Sequence, residues 1–143
     1  MSKKYAKQNA NDIIIDDGSK VYNIKNRRGE VLGEFIFRPT DTNIVNRYEE
    51  VVAYFNQLKL PDNSDEAMKE AEKEIIEKIS YLVGADAGET FFSILGAFSP
   101  LANGELFAEQ VISTIAKVIE KELSVRTTKV QRRMNKYVAK YHN

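Results

Sequence analysis

Short runs of β-branched and aromatic residues dominate the first part of the chain. Ile13–Ile15 is followed by a cluster of turn-forming residues, and Val21–Lys25 and Val31–Phe37 are two further runs with the composition of strands. Asn26–Gly29, between the last two runs, has the composition of a hairpin turn, because glycine adopts a positive φ without strain. This pattern predicts a β-hairpin or a small three-stranded meander.

Proline and polar residues mark the limits of this β element. Pro39 has no N–H to donate to a strand ladder, so we expect the element to cover residues 12–38. The polar residues 1–11 are predicted to be disordered, and residues 40–143 are predicted to be helical. Because no internal repeat or long linker divides the sequence, we expect residues 1–143 to form one domain.

Two segments after the β element carry apolar residues at helical spacing. Thr40 and Asp41 are favourable N-cap residues for the first predicted helix, which stops before Leu60. Ser64 is the predicted N-cap of the second helix, and Gly84 is predicted to end it. These local signals predict two helices of ordinary length.

Three further segments complete the predicted helical region. A short apolar segment covers Asp86–Gly96, and Asn103 is the predicted N-cap of a long helix that extends to Leu123. Residues 124–128 have low helix propensity and predict a bend or break, and residues 130–141 have the spacing of an amphipathic helix. The predicted fold class is α+β, predominantly α: an N-terminal β-hairpin or small meander followed by four to five packed helices.

The composition removes several classes of chemistry from consideration. The chain has no cysteine and one histidine, His142, so disulfides, thiolate nucleophiles and histidine-based sites in the body of the protein have no residues to form them. Asp16, Asp17 and Asp41 are carboxylates in positions typical of turns and helix caps. Gly84–Gly88 is not followed by the Lys-Ser/Thr of a phosphate-binding loop. We therefore expect no enzyme activity, no metal site and no cofactor.

Charge is balanced over the whole chain but unevenly distributed. The chain has 21 basic and 21 acidic residues, of which Asp62–Lys78 holds seven acids against three bases, and no acid follows Arg126. This asymmetry favours docking between copies of the protein or with a partner. A basic helix also suits nucleic acid, so a small nucleic-acid-associated regulator is an alternative. The candidate self-association residues are Arg126, Lys129, Arg132, Arg133 and Lys136.

The middle of the chain carries more large apolar side chains than one helical face can bury. Core packing accounts for part of this set, and the remainder is expected to line a groove or a subunit contact. The candidate partner-binding residues are Phe91, Phe92, Leu95, Phe98, Leu101, Leu106 and Phe107.

Five segments carry a resemblance to a known family through their order and spacing. They are Phe37–Asn43 (FRPTDTN), Arg47–Glu50 (RYEE), Ile79–Gly84 (ISYLVG), Phe98–Phe107 (FSPLANGELF) and Lys136–His142 (KYVAKYH). Together they resemble the short form of the tail assembly chaperones of long-tailed phages and prophages of Gram-positive bacteria. None of the segments is a catalytic signature.

The resemblance implies a role in building a phage tail. Proteins of this family are made in the host cytoplasm, coat the long tape measure protein, help to bring tail tube subunits to it and are absent from the finished virion. The resemblance therefore implies a cytoplasmic homo-oligomer whose partners are the tape measure and tail tube proteins. The chain has no signal-peptide-like start and no long apolar run, so we expect no membrane association. A structural head–tail or tail component of the virion is a further alternative.

Overall fold

A β-hairpin followed by four helices makes up the part of the chain that the structure describes. The computed structural model describes residues 10–59 and 64–123. The elements in chain order are β1 (Lys20–Lys25), β2 (Val31–Phe37), α1 (Ile44–Gln57), α2 (Asp65–Val83), α3 (Ala87–Phe92) and α4 (residues 107–123). The predicted class, α+β and predominantly α, is confirmed.

Several predictions fall on residues outside the described ranges. They are most of the disordered start at 1–11, the bend at 124–128 and the amphipathic helix at 130–141. These remain predictions, as does the folding of residues 1–143 as one domain.

The two strands pair antiparallel around the predicted turn. Val21 lies opposite Ile36, and the register shifts by one residue after Ile24. In the turn, Gly29 has a φ of 85° and donates its N–H to the Asn26 carbonyl oxygen at 3.0 Å. A positive φ is accessible to glycine at little cost, so the prediction of a turn at this glycine is confirmed.

The segment Ile13–Ile15 forms no strand, so the hairpin rather than the three-stranded meander is observed. The side chains of Asp16 and Asp17 accept the backbone N–H groups of Gly18 and Ser19 at 2.9 and 3.0 Å. Side chains of this kind compete with a strand ladder for backbone donors. These local hydrogen bonds explain why the chain turns here instead of continuing as a strand.

Aromatic rings on the inward face of the hairpin pack against α3. Tyr22 and Phe35 stack with their ring centroids 5.6 Å apart, and Phe35 lies 5.1 Å from Phe91 of α3. Phe37, on the same face, is fully buried. Because successive strand residues point to opposite faces, Val21 and its neighbours on the outward face stay exposed.

Helix α1 begins later than the sequence predicts. Its N-cap is Asn43, whose side chain makes no capping hydrogen bond, so the prediction of Thr40 or Asp41 as the cap is wrong. The Asp41 carboxylate instead accepts the Asn43 N–H at 2.9 Å and pairs with Arg47 at 3.1 Å. The aspartate therefore stabilises a turn before the helix.

Both predicted limits of α2 are confirmed. The Ser64 hydroxyl accepts the Ala67 N–H at 3.2 Å, and Gly84 follows the last turn with a φ of 125° and donates its N–H to the Ser80 carbonyl oxygen. The apolar stripe of the helix supplies much of the core. Its buried residues are Ile75, Ile79, Leu82 and Val83.

Two acidic residues of α2 make tertiary contacts. Glu72 accepts the Ala97 N–H at 3.0 Å and so holds the loop after α3. Glu74 accepts a hydrogen bond from the Tyr54 hydroxyl at 3.0 Å, which ties α1 to α2. Burial, followed by the hydrogen bond to Glu74, raises the pKa of Tyr54 to about 12.

Helix α3 approaches α2 closely at one glycine. The Gly88 N–H donates to the Ser80 hydroxyl at 2.9 Å, and a Cβ at this position would lie 2.1 Å from the Ile76 carbonyl oxygen. Only a residue without a side chain fits this crossing.

The prediction of Asn103 as the N-cap of the long helix is wrong, because α4 begins at 107. The Asn103 side chain accepts the Glu105 N–H at 3.0 Å and therefore closes a turn before the helix. Glu109, in the first turn of α4, accepts the Leu106 N–H at 3.0 Å, as the glutamate of a capping box does.

Candidate functional site

Two grooves flank α4, one on each side of the helix. The first, named here the hairpin groove, lies between β1 and α4 and consists of adjoining cavities of about 460 and 360 Å³. The second, named the α1 groove, lies between the C-terminal end of α1 and α4 and has a volume of about 540 Å³.

The hairpin groove has an aromatic floor and two different walls. Phe35 and Phe91 form the floor, the consecutive residues Tyr22–Lys25 form one wall, and α4 forms the other. Since alternate strand residues point to opposite faces, four consecutive residues can line one wall only if the backbone edge of β1 faces the groove. The residues of α4 that line the opposite wall are Phe107, Gln110, Val111, Thr114, Ile115 and Val118.

Charged residues lie at both ends of the hairpin groove. Lys20 and Glu122 pair at 2.7 Å and join the start of β1 to the last described turns of α4. Lys25 and Arg27 lie at the other end. The groove is therefore mainly apolar, with a few uncharged polar residues on its walls, and is positively charged where β1 ends.

The α1 groove is apolar at its base and acidic at one rim. Its wall includes Glu105 and Glu109 near the start of α4 and the small residue Ser113 one turn later. The apolar lining residues are Phe55, Leu58, Phe98, Leu106, Ala108 and Ile112. Several of these are only partly buried, so an apolar ligand has surface to cover.

Two of the candidate partner-binding residues lie in the core. Phe91 and Phe92 are 6 % and 8 % exposed, and Phe92 packs edge-to-face on Phe107 with the centroids 5.8 Å apart. Their contribution to this fold is packing, and Phe91 touches the hairpin groove only as its floor.

The remaining candidates divide between the two grooves. Leu101 and Phe107 line the hairpin groove, whereas Phe98 and Leu106 line the α1 groove. Leu95 lines neither groove and is 39 % exposed. The aromatic middle segment therefore contributes to two surfaces, on opposite sides of α4.

Sequence reasoning missed most of the groove walls. Tyr22–Lys25 lies in or beside a predicted strand and Thr114 and Val118 lie within the predicted long helix, but none of them is among the candidate binding residues. No local sequence pattern indicates that β1 and α4 lie opposite each other, because α1, α2 and α3 separate them along the chain. The candidate self-association residues at 126–136 lie outside the described ranges.

The carboxylates with lowered pKa values belong to local turns. Hydrogen bonds from Ser19 and Arg38 hold the pKa of Asp17 well below its usual range, and the Asn43 N–H lowers the pKa of Asp41. Within residues 10–59 and 64–123, no three acidic or histidine side chains converge to hold a metal ion. What the described residues provide for binding is two concave grooves with apolar surface.

Comparison with protein-family models, with curated proteins and with solved structures finds no significant match. In the described part of the chain, no helix combines the length and the apolar character needed to cross a membrane.

Proposed function

We propose that this protein is a non-enzymatic tail assembly chaperone of a long-tailed phage or prophage, which binds the tape measure protein during tail assembly. The observation that supports this function best is the apolar α1 groove, because a chaperone of this kind needs apolar surface that stays accessible in the folded protein. Delivery of tail tube subunits is a second part of the proposal and has no groove assigned to it.

The walls of the α1 groove suit an amphipathic helix as the bound segment. Helices that bind in grooves place apolar side chains at intervals of three and four residues between two supporting elements. The end of α1 and the outer side of α4 are two such elements, with Phe55 and Ile112 on opposite walls. Tape measure proteins are long and helical, so the resemblance and the groove imply the same kind of ligand.

Charge at the rim favours one kind of client sequence. Glu105 and Glu109 border the apolar base of the groove. Acidic rim residues accelerate the docking of basic segments and disfavour acidic ones. We therefore expect the preferred tape measure segment to carry lysine or arginine beside its apolar stripe.

Two neighbouring residues of α4 allow a matched test of this groove. Ser113 lines the α1 groove and Thr114 lines the hairpin groove, and both are exposed hydroxyl residues. The full-length protein is co-expressed with affinity-tagged fragments of the tape measure protein of the same phage. We expect Ser113→Arg to reduce co-purification at least about tenfold, as loss of a central interface contact does, and Thr114→Arg to leave it unchanged.

Three outcomes would contradict the proposal. They are the failure of every tape measure fragment to co-purify with the wild-type protein, equal effects of the two substitutions, and detection of the chain in purified virions. The last outcome would favour a structural tail component. Salt-sensitive binding to random duplex DNA without tape measure binding would favour the nucleic-acid alternative.

A further inference from the structure

Three consecutive isoleucines before the hairpin lie almost entirely in solvent. Ile13, Ile14 and Ile15 are 84 %, 75 % and 75 % exposed and belong to no regular element. Isoleucine is among the residues most often buried in proteins and among those most favoured in strands. A contiguous, exposed apolar segment with strand propensity is typical of an interaction site.

The turn after the isoleucines holds them on the β2 side of the hairpin. Asp17 forms an ion pair with Arg38, which follows β2, and a Cβ at Gly18 would lie 3.4 Å from the Thr40 hydroxyl. The β1 edge that borders the hairpin groove faces α4, away from β2. Ile13–Ile15 are accordingly not among the residues that line the hairpin groove of their own chain.

The hairpin groove has the geometry of a site that accepts an added strand. Within residues 10–59 and 64–123 the sheet has two strands, so the edge of β1 that faces α4 carries N–H and C=O groups with no ladder partner among the described residues of that sheet. Peptides that add to a sheet edge gain affinity from such groups and specificity from pockets for alternate side chains. Phe35 and Phe91, on the floor, provide an apolar surface for those side chains.

The isoleucine segment and the β1 edge match in length and in charge. At about 3.3 Å per residue, Asp12–Asp16 spans about 16 Å and the six residues of β1 span about 20 Å. The acidic residue Asp16 follows the isoleucines, and Lys25 supplies a positive charge at the end of β1 opposite to the Lys20–Glu122 pair. Opposite charges on neighbouring strands stabilise their pairing.

We propose that Ile13–Ile15 of one copy adds as a third strand to the β1 edge of a second copy, in the hairpin groove. A second copy is the occupant because each chain carries both complementary parts and its own Ile13–Ile15 segment does not line its own groove. The contact joins two different surfaces, so it is heterologous and repeats from copy to copy. This inference is independent of the proposed function, because it leaves the α1 groove free for a client.

Light scattering of the full-length protein tests the donor and the acceptor separately. The wild-type mass is expected to rise from the monomer value of 16.3 kDa to at least twice that value over a roughly hundredfold range of concentration. We expect the double substitution Ile14→Asp and Ile15→Asp, and separately Thr114→Arg, to keep the mass at the monomer value. Val45→Asp, on an exposed apolar residue of α1 that lines neither groove, is the control and should behave as the wild type. Circular dichroism of each variant checks that the helices are intact.

Mixing the two defective variants gives the decisive result. The isoleucine variant keeps a working acceptor, and the Thr114→Arg variant keeps a working donor. An equimolar mixture is therefore expected to form a complex with twice the monomer mass and no larger species. Lys25→Glu should weaken wild-type association roughly two- to fivefold, the range for exposed ion pairs.

Each of the contrary outcomes overturns the proposal. A wild-type protein that stays monomeric has no such contact, and loss of stability in a monomeric isoleucine variant would show that the segment packs on its own chain. Unchanged association of the isoleucine variant would assign self-association to another surface, such as the basic residues at 126–136. Failure of the mixture to associate would exclude the donor–acceptor arrangement.

Discussion

Replacing Gly88 with alanine tests the packing of α3 on α2. The added methyl group would lie 2.1 Å from the Ile76 carbonyl oxygen and 2.7 Å from the Ser80 hydroxyl oxygen. The first of these neighbours is backbone inside α2 and cannot rotate away. The substitution therefore forces α3 to move by about 1 Å, and with it Phe91 and Phe92 of the core.

The expected cost follows from three contributions. Overpacking of a close interface costs about 1–3 kcal/mol and occasionally more. Loss of the Gly88 hydrogen bond to Ser80 destabilises the protein by about a further 1 kcal/mol. The higher helix propensity of alanine stabilises it by about 1 kcal/mol. Because the last two contributions cancel, we expect the free energy of unfolding to fall by about 1–3 kcal/mol, a large part of the stability of a small domain.

Urea unfolding followed by circular dichroism measures this change. With a slope of about 1.5 kcal/mol per molar urea, the midpoint is expected to fall by about 0.7–2 M. The control is Gly96→Ala, whose Cβ would meet the movable Ser99 hydroxyl at 3.3 Å and which should cost less than about 1 kcal/mol. A Gly88→Ala midpoint within about 0.3 M of the wild type would refute the close crossing of α3 and α2.

Three further substitutions have defined expectations. Tyr54→Phe removes the hydrogen bond to Glu74 and should lower the free energy of unfolding by about 1 kcal/mol in urea titrations; no loss would mean that the bond contributes nothing. Ala85→Gly relieves a residue held at a φ of 36° and should raise the same quantity by about 0.5 kcal/mol, whereas a decrease would contradict that conformation. The folded pKa of Asp17 lies below its ordinary value of 3.8, so its contact with Arg38 is complete above that pH and is lost as the pH falls through the folded pKa. An NMR titration of the Asp17 carboxyl group checks this expectation: its midpoint should lie below 3.8 and move back towards that value in Arg38→Gln, and a wild-type midpoint at or above 3.8 would contradict it.

The sequence predicted the end of a helix or the position of a turn correctly where the conformation or hydrogen bond of a single residue determines it. Ser64 caps α2 with its own hydroxyl, and Gly84 and Gly29 adopt backbone angles that other residues rarely reach. The prediction was wrong where one side chain can make either of two local hydrogen bonds, one that caps a helix and one that closes a turn. Asp41 and Asn103 have side chains that cap helices or close turns equally well, and both close turns.

The grooves depend on contacts between distant parts of the chain, which periodicity does not report. The apolar character of Phe98 and Leu106 was evident from the sequence, but their separation from Leu101 and Phe107 by α4 was not. The sequence also did not predict the exposure of Ile13–Ile15, because three consecutive isoleucines are equally typical of a strand paired within a sheet.

The two walls of the hairpin groove are made at different times during synthesis. The end of β1 and the start of α4 are separated by about 80 residues, so at roughly 5–20 residues per second the ribosome delivers the second wall about 4–16 s after the first. A hairpin forms within microseconds but is only marginally stable without a helix to pack on, so during that interval the hairpin has neither its support nor the second wall of its groove. The hairpin groove, with the strand edge at one wall and α4 at the other, is therefore available to any partner only after residues 107–123 have been made.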